Sequence, residues 1–191
     1  MGKPYDLELS QLDGTYRWAI KASVDRLSKA LRSASSLPLI AVGSGGSLTT
    51  ADFAASLHRN FSGTVGSAMT PMEATVPSLD LRGMAVLVAT AGGKNPDVLA
   101  AFRGLVSREP RRLILLCMTV GSPLARLAMK HGFVDLIEAE LPSGRDGFLA
   151  TNSLLASTVL LARAYNQAHG ATYALPEDIS GLLLAETEDL T

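Results

Sequence analysis

The sequence predicts an α/β fold, a parallel sheet with helices on both faces. Three observations carry this. Short apolar runs of strand length recur at LIAVG, MAVLVAT and RRLILLCMT. The first two run into glycine-rich loops, and Gly121-Ser122-Pro123 follows the third. A helical spacing of apolar residues then follows each loop. Strand, glycine loop and helix in repetition make βαβ units, whose strands are buried on both faces and read as continuous apolar runs.

The chain opens with a helical pattern over 10–36, where Leu12, Tyr16, Ala19/Ile20, Val24, Leu27 and Leu31 recur at spacings of three and four. Leu37-Pro38 ends it, because a residue before proline is pushed out of the helical region. The first strand, LIAVG, follows. Residues 47–62 read as a helix with Ser47 as its N-cap and Gly63 as its stop. TVGSAM at 64–69 reads as a strand and Met72–Val76 as a short helix. The strand at 84–90 leads into Ala91-Gly92-Gly93-Lys94-Asn95-Pro96, and Pro96 suits the first turn of a helix running to about Ser107. After the strand at 111–119, Gly121-Ser122-Pro123 opens a helix that ends near His131-Gly132. VDLIEAEL at 134–141 is the last strand candidate, and 147–168 make a long apolar helix closed by Gly170.

No Pro/Ser/Gly linker divides the chain. It reads as an N-terminal helical segment (1–36) packing on the domain or on a partner chain, one α/β domain (37–170), and a tail (171–191) ending in acidic LAETEDLT. Ends of this kind fit a piece of a longer protein, the tail leading on to a further domain.

Composition excludes several classes. Apolar residues make up 47% of the 191 residues and charged residues 18%, so the chain is globular and not disordered. A formal net charge of −1 gives no basic field for nucleic acid. Arg103, Arg108, Arg111 and Arg112 cluster at a helix end and the next strand start, where solvated cations are ordinary. No apolar run approaches the ~20 residues of a membrane helix, and MGKPYDLELS lacks a signal-peptide pattern. The expected location is a reducing cytoplasm. Cys117 is the only cysteine, placed inside a strand as an inert buried thiol. His58, His131 and His169 stand far apart, without HExxH or CxxC, so neither metal nor cofactor is expected.

In an open α/β sheet, ligands sit at the carboxyl ends of the strands. Three loops fit that place: GSGGS at 43–47, TAGGKN at 90–95 and PSGRDG at 142–147. Glycine permits close backbone approach, and N–H groups at a helix N-terminus attract anions, phosphate above all. The hydroxyls of Ser44, Ser47 and Thr90, the Asn95 amide and the Lys94 cation add hydrogen bonds. Glycine loops also arise where βα turns are merely tight. Two of them with hydroxyls at alternate strand ends favour a phosphorylated small molecule. The dinucleotide pattern fails, since Leu48 stands where GxGxxG needs its third glycine. Gly93-Lys94-Asn95 fails the P-loop pattern, and GxSxG is missing.

Over 37–168 the residues resemble the SIS (sugar isomerase) domain of phosphosugar isomerases and phosphosugar-binding regulators. Four segments carry the resemblance, in matching order and spacing: VGSGGSLTTADFAA, VLVATAGGKNPDVLAAF, CMTVGSPLARLA and LPSGRDGFLATNSLLASTVLLARAY. The resemblance implies a flavodoxin-like αβα sandwich on a five-stranded parallel sheet. It implies phosphate held by the second loop and sugar contacts from the first. By position, Ser47 matches a ligand-binding serine, Thr90 the first serine of the phosphate segment and Asn95 its threonine. The segment departs from the family at Ala91 and Gly92, where the second serine is lost and Lys94 supplies charge instead. The family's catalytic glutamate falls at Arg145 or Asp146 here, and its nearby lysine at Asn152.

The expected phosphosugar-binding set is Gly43, Ser44, Gly45, Gly46, Ser47, Thr90, Ala91, Gly92, Gly93, Lys94, Asn95 and Arg145. Aldose–ketose isomerisation through an enediol needs a general base, for which Asp146 and Glu73 are the candidates and His58 a lesser one. Glu73 also suits a helix start, and His58 an exposed or interface position. Three readings stay open at this point: a phosphosugar-binding domain, an active isomerase, and an oligomerisation scaffold without ligand. The resemblance implies a homodimer or a partner domain, since such domains pair and this chain holds one copy.

Overall fold

The computed structural model describes residues 3–76, 80–147 and 149–179. Three short helices come first: α1 (Tyr5–Ser10), α2 (Leu12–Ala19) and α3 (Asp25–Ala34). Then follow β1 (Leu39–Val42), α4 (Gly46–Ser62), β2 (Gly66–Met69), α5 (Pro71–Ala74), β3 (Ala85–Thr90) and α6 (Pro96–Ser107). The chain continues through β4 (Arg112–Cys117), α7 (Pro123–Ala128), β5 (Val134–Glu138) and α8 (Asn152–His169). All strand pairs are parallel, in the order β2-β1-β3-β4-β5. The sequence-based α/β reading holds.

Strand side chains alternate between faces, and each face has its own helices. Leu39 and Ala41 of β1, Leu87 and Ala89 of β3, and Ile114 and Leu116 of β4 pack with α2, α3, α4 and α8. Ile40, Val42, Val86, Val88, Leu113, Leu115 and Cys117 pack with α5, α6 and α7. The sheet is therefore covered on both sides, which explains the near-continuous apolar runs of its central strands β1, β3 and β4.

Four local expectations need correction. The pattern over 10–36 is not one helix. It breaks at Ile20–Val24, although the apolar spacing runs straight through. The physical reason lies on α8: the Arg163 guanidinium donates to Ala19 O (2.7 Å) and Ala22 O (2.5 Å), satisfying the carbonyls that a continuing helix would use. Ser47 is not an N-cap. Gly45 holds that position at φ +57°, where a side chain is strained, and α4 opens with no side-chain cap. The last helix begins at Asn152 and not at 147, for a reason given below. His58 is not exposed. It is fully buried near the amino ends of β1 and β2, with Nε2 against Leu37 O (2.9 Å) and Thr64 Oγ1 (2.8 Å) and Nδ1 against Tyr165 Oη (3.1 Å). Burial holds its pKa below the ordinary histidine value. The acidic end LAETEDLT lies outside the described residues.

Among the described residues, no helix is long and apolar enough to cross a membrane, and no cluster of His, Cys, Asp and Glu is arranged to hold a metal.

Candidate functional site

The strand order reverses direction between β1 and β3. Helix α4 leaves β1 toward one face, and α6 leaves β3 toward the other. A crevice must open there, outside the carboxyl ends of the two strands. It holds a cavity of about 200 Å³ lined by Ser44 and Ser47 of the first loop and Thr90–Asn95 of the second. A larger cleft of about 560 Å³ adjoins it and shares Ala91, Gly92 and Lys94. Its far wall is Glu140, Leu141, Arg145, Asp146, Gly147 and Ala150.

The first loop is shaped by close packing. A Cβ on Gly43 would sit 2.0 Å from Ser47 O, so any side chain there displaces the first turn of α4. Gly46 lies against Ala150, where a Cβ would come 2.2 Å from the alanine methyl. These contacts let the first and last loops meet. Behind them Thr50 Oγ1 and Ser157 Oγ lie 2.8 Å apart, joining α4 to α8. No side chain caps α4, though Ser47 N and Leu48 N donate to Ser44 O (3.1 Å) and Gly45 O (2.8 Å), and the dipole of this 17-residue helix favours an anion at its start.

The second loop is braced from below. Thr90 Oγ1 accepts from Gly93 N (3.2 Å), Leu124 N donates to Gly93 O (2.9 Å), and Thr119 Oγ1 donates to Ala91 O (2.9 Å). Asn95 is the N-cap of α6, its Oδ1 accepting from Asp97 N (2.8 Å) and Val98 N (3.4 Å). Lys94 stands free at the mouth of both cavities, and Arg145 on the far wall of the larger. Neither cation has an ion-pair partner among the described residues.

The two candidate bases part company. Glu73 lines neither cavity. It forms a capping box with Thr70 on α5, accepting from Thr70 N (2.7 Å), and hydrogen bonds from the Thr70 backbone and hydroxyl hold its pKa below the ordinary value. Asp146 does line the larger cleft, yet both its oxygens face α8. Oδ1 accepts from Asn152 N (3.1 Å), and Oδ2 accepts from Thr151 N (3.2 Å), Ser153 N (3.0 Å) and the Ser153 hydroxyl. This carboxylate caps α8 from outside, which is why the helix starts at Asn152. Gly147, Leu149 and Ala150 are left as wall.

The structure thus brings Ser44, Ser47, Thr90, Ala91, Gly92, Gly93, Lys94 and Asn95 to one cavity, with Arg145 and Asp146 across the adjoining cleft. Gly43, Gly45 and Gly46 shape the loop, and Glu73 stands apart. Sequence reasoning missed Met118, Thr119, Glu140 and Ser153 on the cleft wall. A hydroxyl after the β4 run was the available signal for Thr119. Glu8, discussed below, left none.

A scan against protein-family descriptions found no match, and a search of curated proteins found none. Solved structures do match. The C-terminal domain of glucosamine-fructose-6-phosphate aminotransferase from Francisella tularensis superposes with a TM-score of 0.69 at 16% identity, over 86% of this chain and 48% of that one. Tagatose-6-phosphate ketose/aldose isomerase from Escherichia coli gives 0.64 at 17% identity, over 85% and 47%. The chain has the sugar isomerase (SIS) domain fold. It spans about half the length of these two SIS-fold structures. An Escherichia coli protein in complex with arabinose 5-phosphate matches over nearly its whole length, with TM-score 0.56, 20% identity, and 97% and 88% coverage.

Proposed function

We propose that this SIS-fold chain binds a phosphorylated sugar, as a binding or sensing module of a larger assembly. The observation that carries the reading is the pair of adjoining cavities at the carboxyl ends of β1 and β3. Hydroxyls, the positive end of the α4 dipole and an unpaired Lys94 line the smaller one. Phosphate fits that end, and the sugar extends into the larger cleft toward Arg145. The sugar-phosphate names of the structural neighbours support the ligand class. Open cavities favour this reading over a ligand-free scaffold.

Binding is favoured over isomerisation because Asp146 has its oxygens occupied by α8 donors, whereas a general base needs a lone pair aimed at substrate. A second reading, isomerase activity, rests on Glu140, the other carboxylate on the cleft wall among the described residues. The proposal includes a homodimer or a further domain completing the site, and a cytoplasmic setting.

The test is a thermal-shift panel of arabinose 5-phosphate, tagatose 6-phosphate, glucosamine 6-phosphate and sedoheptulose 7-phosphate. A ligand at 100 times its Kd adds about 2.7 kcal/mol to stability. The expected result is a shift with one of them, lost in Lys94→Ala and Thr90→Ala. Turnover of that compound, abolished in Glu140→Gln, would move the assignment to isomerase. No shift with any member overturns the proposal.

A further inference from the structure

Helix α1 is patterned inside out. Tyr5, Leu7 and Leu9 are 51%, 48% and 42% exposed, while Glu8 between them is 1% exposed. Amphipathic packing alone would bury the apolar residues and leave the carboxylate in water. A buried carboxylate is costly unless hydrogen-bonded, so its partners identify what it is there for. They belong to the far wall of the ligand cleft. Glu8 Oε1 accepts from Gly147 N, and Oε2 accepts from the Thr151 hydroxyl (3.1 Å). Glu8 O accepts from Asn152 Nδ2 (3.0 Å), and Thr15 Oγ1 of α2 donates to Asn152 Oδ1 (2.6 Å). Lys3 Nζ donates to Ser143 O (2.6 Å).

The wall needs such support. Within 141–151, the loop-type backbone bond among the described residues is Gly144 N to Leu141 O (3.0 Å). Its shape comes from two carboxylates that bracket Thr151. Asp146 lies on one side, with its Oδ1 3.3 Å from the Thr151 hydroxyl, and Glu8 on the other. Arg145, Gly147 and Ala150 adjoin these anchors and line the cleft. Glycine at 147 makes the seat close: a Cβ there would lie 2.5 Å from Lys3 O and 2.7 Å from Glu8 Oε1.

We infer that Glu8 is a positioning residue for the ligand, holding the cleft wall at Gly147 and Thr151 from the N-terminal helix. The inference rests on the phosphosugar reading for its ligand and on geometry alone for the wall. Glu8 does not line the cleft, and acts through Gly147 and Thr151.

Hydrogen–deuterium exchange on the full chain, with arabinose 5-phosphate affinity alongside, tests this. Glu8→Ala is expected to speed exchange across 145–153 at least 10-fold while β1, β3 and β4 amides keep their rates. Affinity falls 10-fold or more. Glu8→Gln keeps an acceptor for Gly147 N–H and is expected to restore most of both. Gly147→Ala leaves Glu8 in place but wedges it from the wall, and is expected to reproduce Glu8→Ala. That second variant decides the matter if Glu8→Ala fails to fold. Unchanged exchange in 145–153, a rise shared equally by the sheet, or a loosened wall with unchanged affinity would each overturn the inference. If the wild-type chain binds no member of the sugar-phosphate panel, the functional reading falls and the ligand role with it. The exchange comparison then still decides whether Glu8 holds the wall.

Discussion

Replacing Asp146 by alanine separates a capping carboxylate from a catalytic one. The side chain accepts from the N–H groups of Thr151, Asn152 and Ser153 and from the Ser153 hydroxyl. Losing an N-cap acceptor costs about 1–2 kcal/mol. Losing the negative charge at the start of an 18-residue helix costs a further ~0.3–1 kcal/mol. The sum is about 1–3 kcal/mol, toward the lower end where water entering from the cleft replaces part of the hydrogen bonding. For a chain of 191 residues, each kcal/mol lowers Tm by about 2–4 °C, so the expected fall is about 3–12 °C. Asp146→Asn retains one acceptor and loses the charge, and should fall by about half as much. The assay is urea unfolding followed by far-ultraviolet circular dichroism, without ligand. A base held ready for substrate behaves otherwise: removing it leaves stability unchanged or raises it. An Asp146→Ala loss under about 0.5 kcal/mol, the range of an inconsequential surface change, would refute the capping argument.

Four further outcomes are expected. His58 is buried with its pKa held below the ordinary value, so the unfolded chain takes up a proton first as pH falls. Stability is full above the unfolded pKa of about 6.5 and is lost below it, by up to ~1.4 kcal/mol per pH unit, until the folded pKa is reached. Urea midpoints from pH 8 to 5 should show that slope, reduced in His58→Gln. Gly43→Ala places a Cβ 2.0 Å from Ser47 O and should cost about 1–3 kcal/mol in denaturant titration and abolish any sugar-phosphate shift. Asn95→Ala removes the cap of α6 and should cost about 1 kcal/mol in the same titration. Thr50→Val removes the cross-helix hydrogen bond to Ser157, whose hydroxyl keeps its bond to Leu154 O (3.0 Å), and should cost about 0.5–1.5 kcal/mol, although it adds apolar surface.

The three central strands were legible because burial on both faces leaves them almost no polar positions. LIAV, AVLVAT and RLILLC stand out from their flanks for that reason, and Pro96 and Pro123 begin their helices where first-turn prolines belong. The break between α2 and α3 was not legible. It depends on Arg163, some 140 residues away in the chain, reaching the Ala19 and Ala22 carbonyls. No local pattern encodes a cap supplied by another helix. Ser47 misled for a related reason: a serine beside glycine satisfies a capping preference, but the tight seat of Gly43 beneath the turn sets the helix one residue earlier.

The site divides along the same line. The two glycine loops carry their chemistry within a few consecutive residues, so Ser44, Ser47 and 90–95 could be grouped from sequence, and the cavity they line follows from the strand order. Asp146 was legible as a residue and not as a role, because a carboxylate six residues before a helix reads equally as base or cap. Only the direction of its oxygens toward Thr151, Asn152 and Ser153 distinguishes them. Glu8 was not legible in either sense. In YDLELS it is an ordinary acidic residue on a short helix, and its weight comes from contacts across 139 and 143 positions of chain. A wall with so little backbone bonding of its own has to borrow its shape. Here it borrows from Asp146 within the loop and from Glu8 outside it, so the cleft is expected to respond to changes in the N-terminal helix that do not line it.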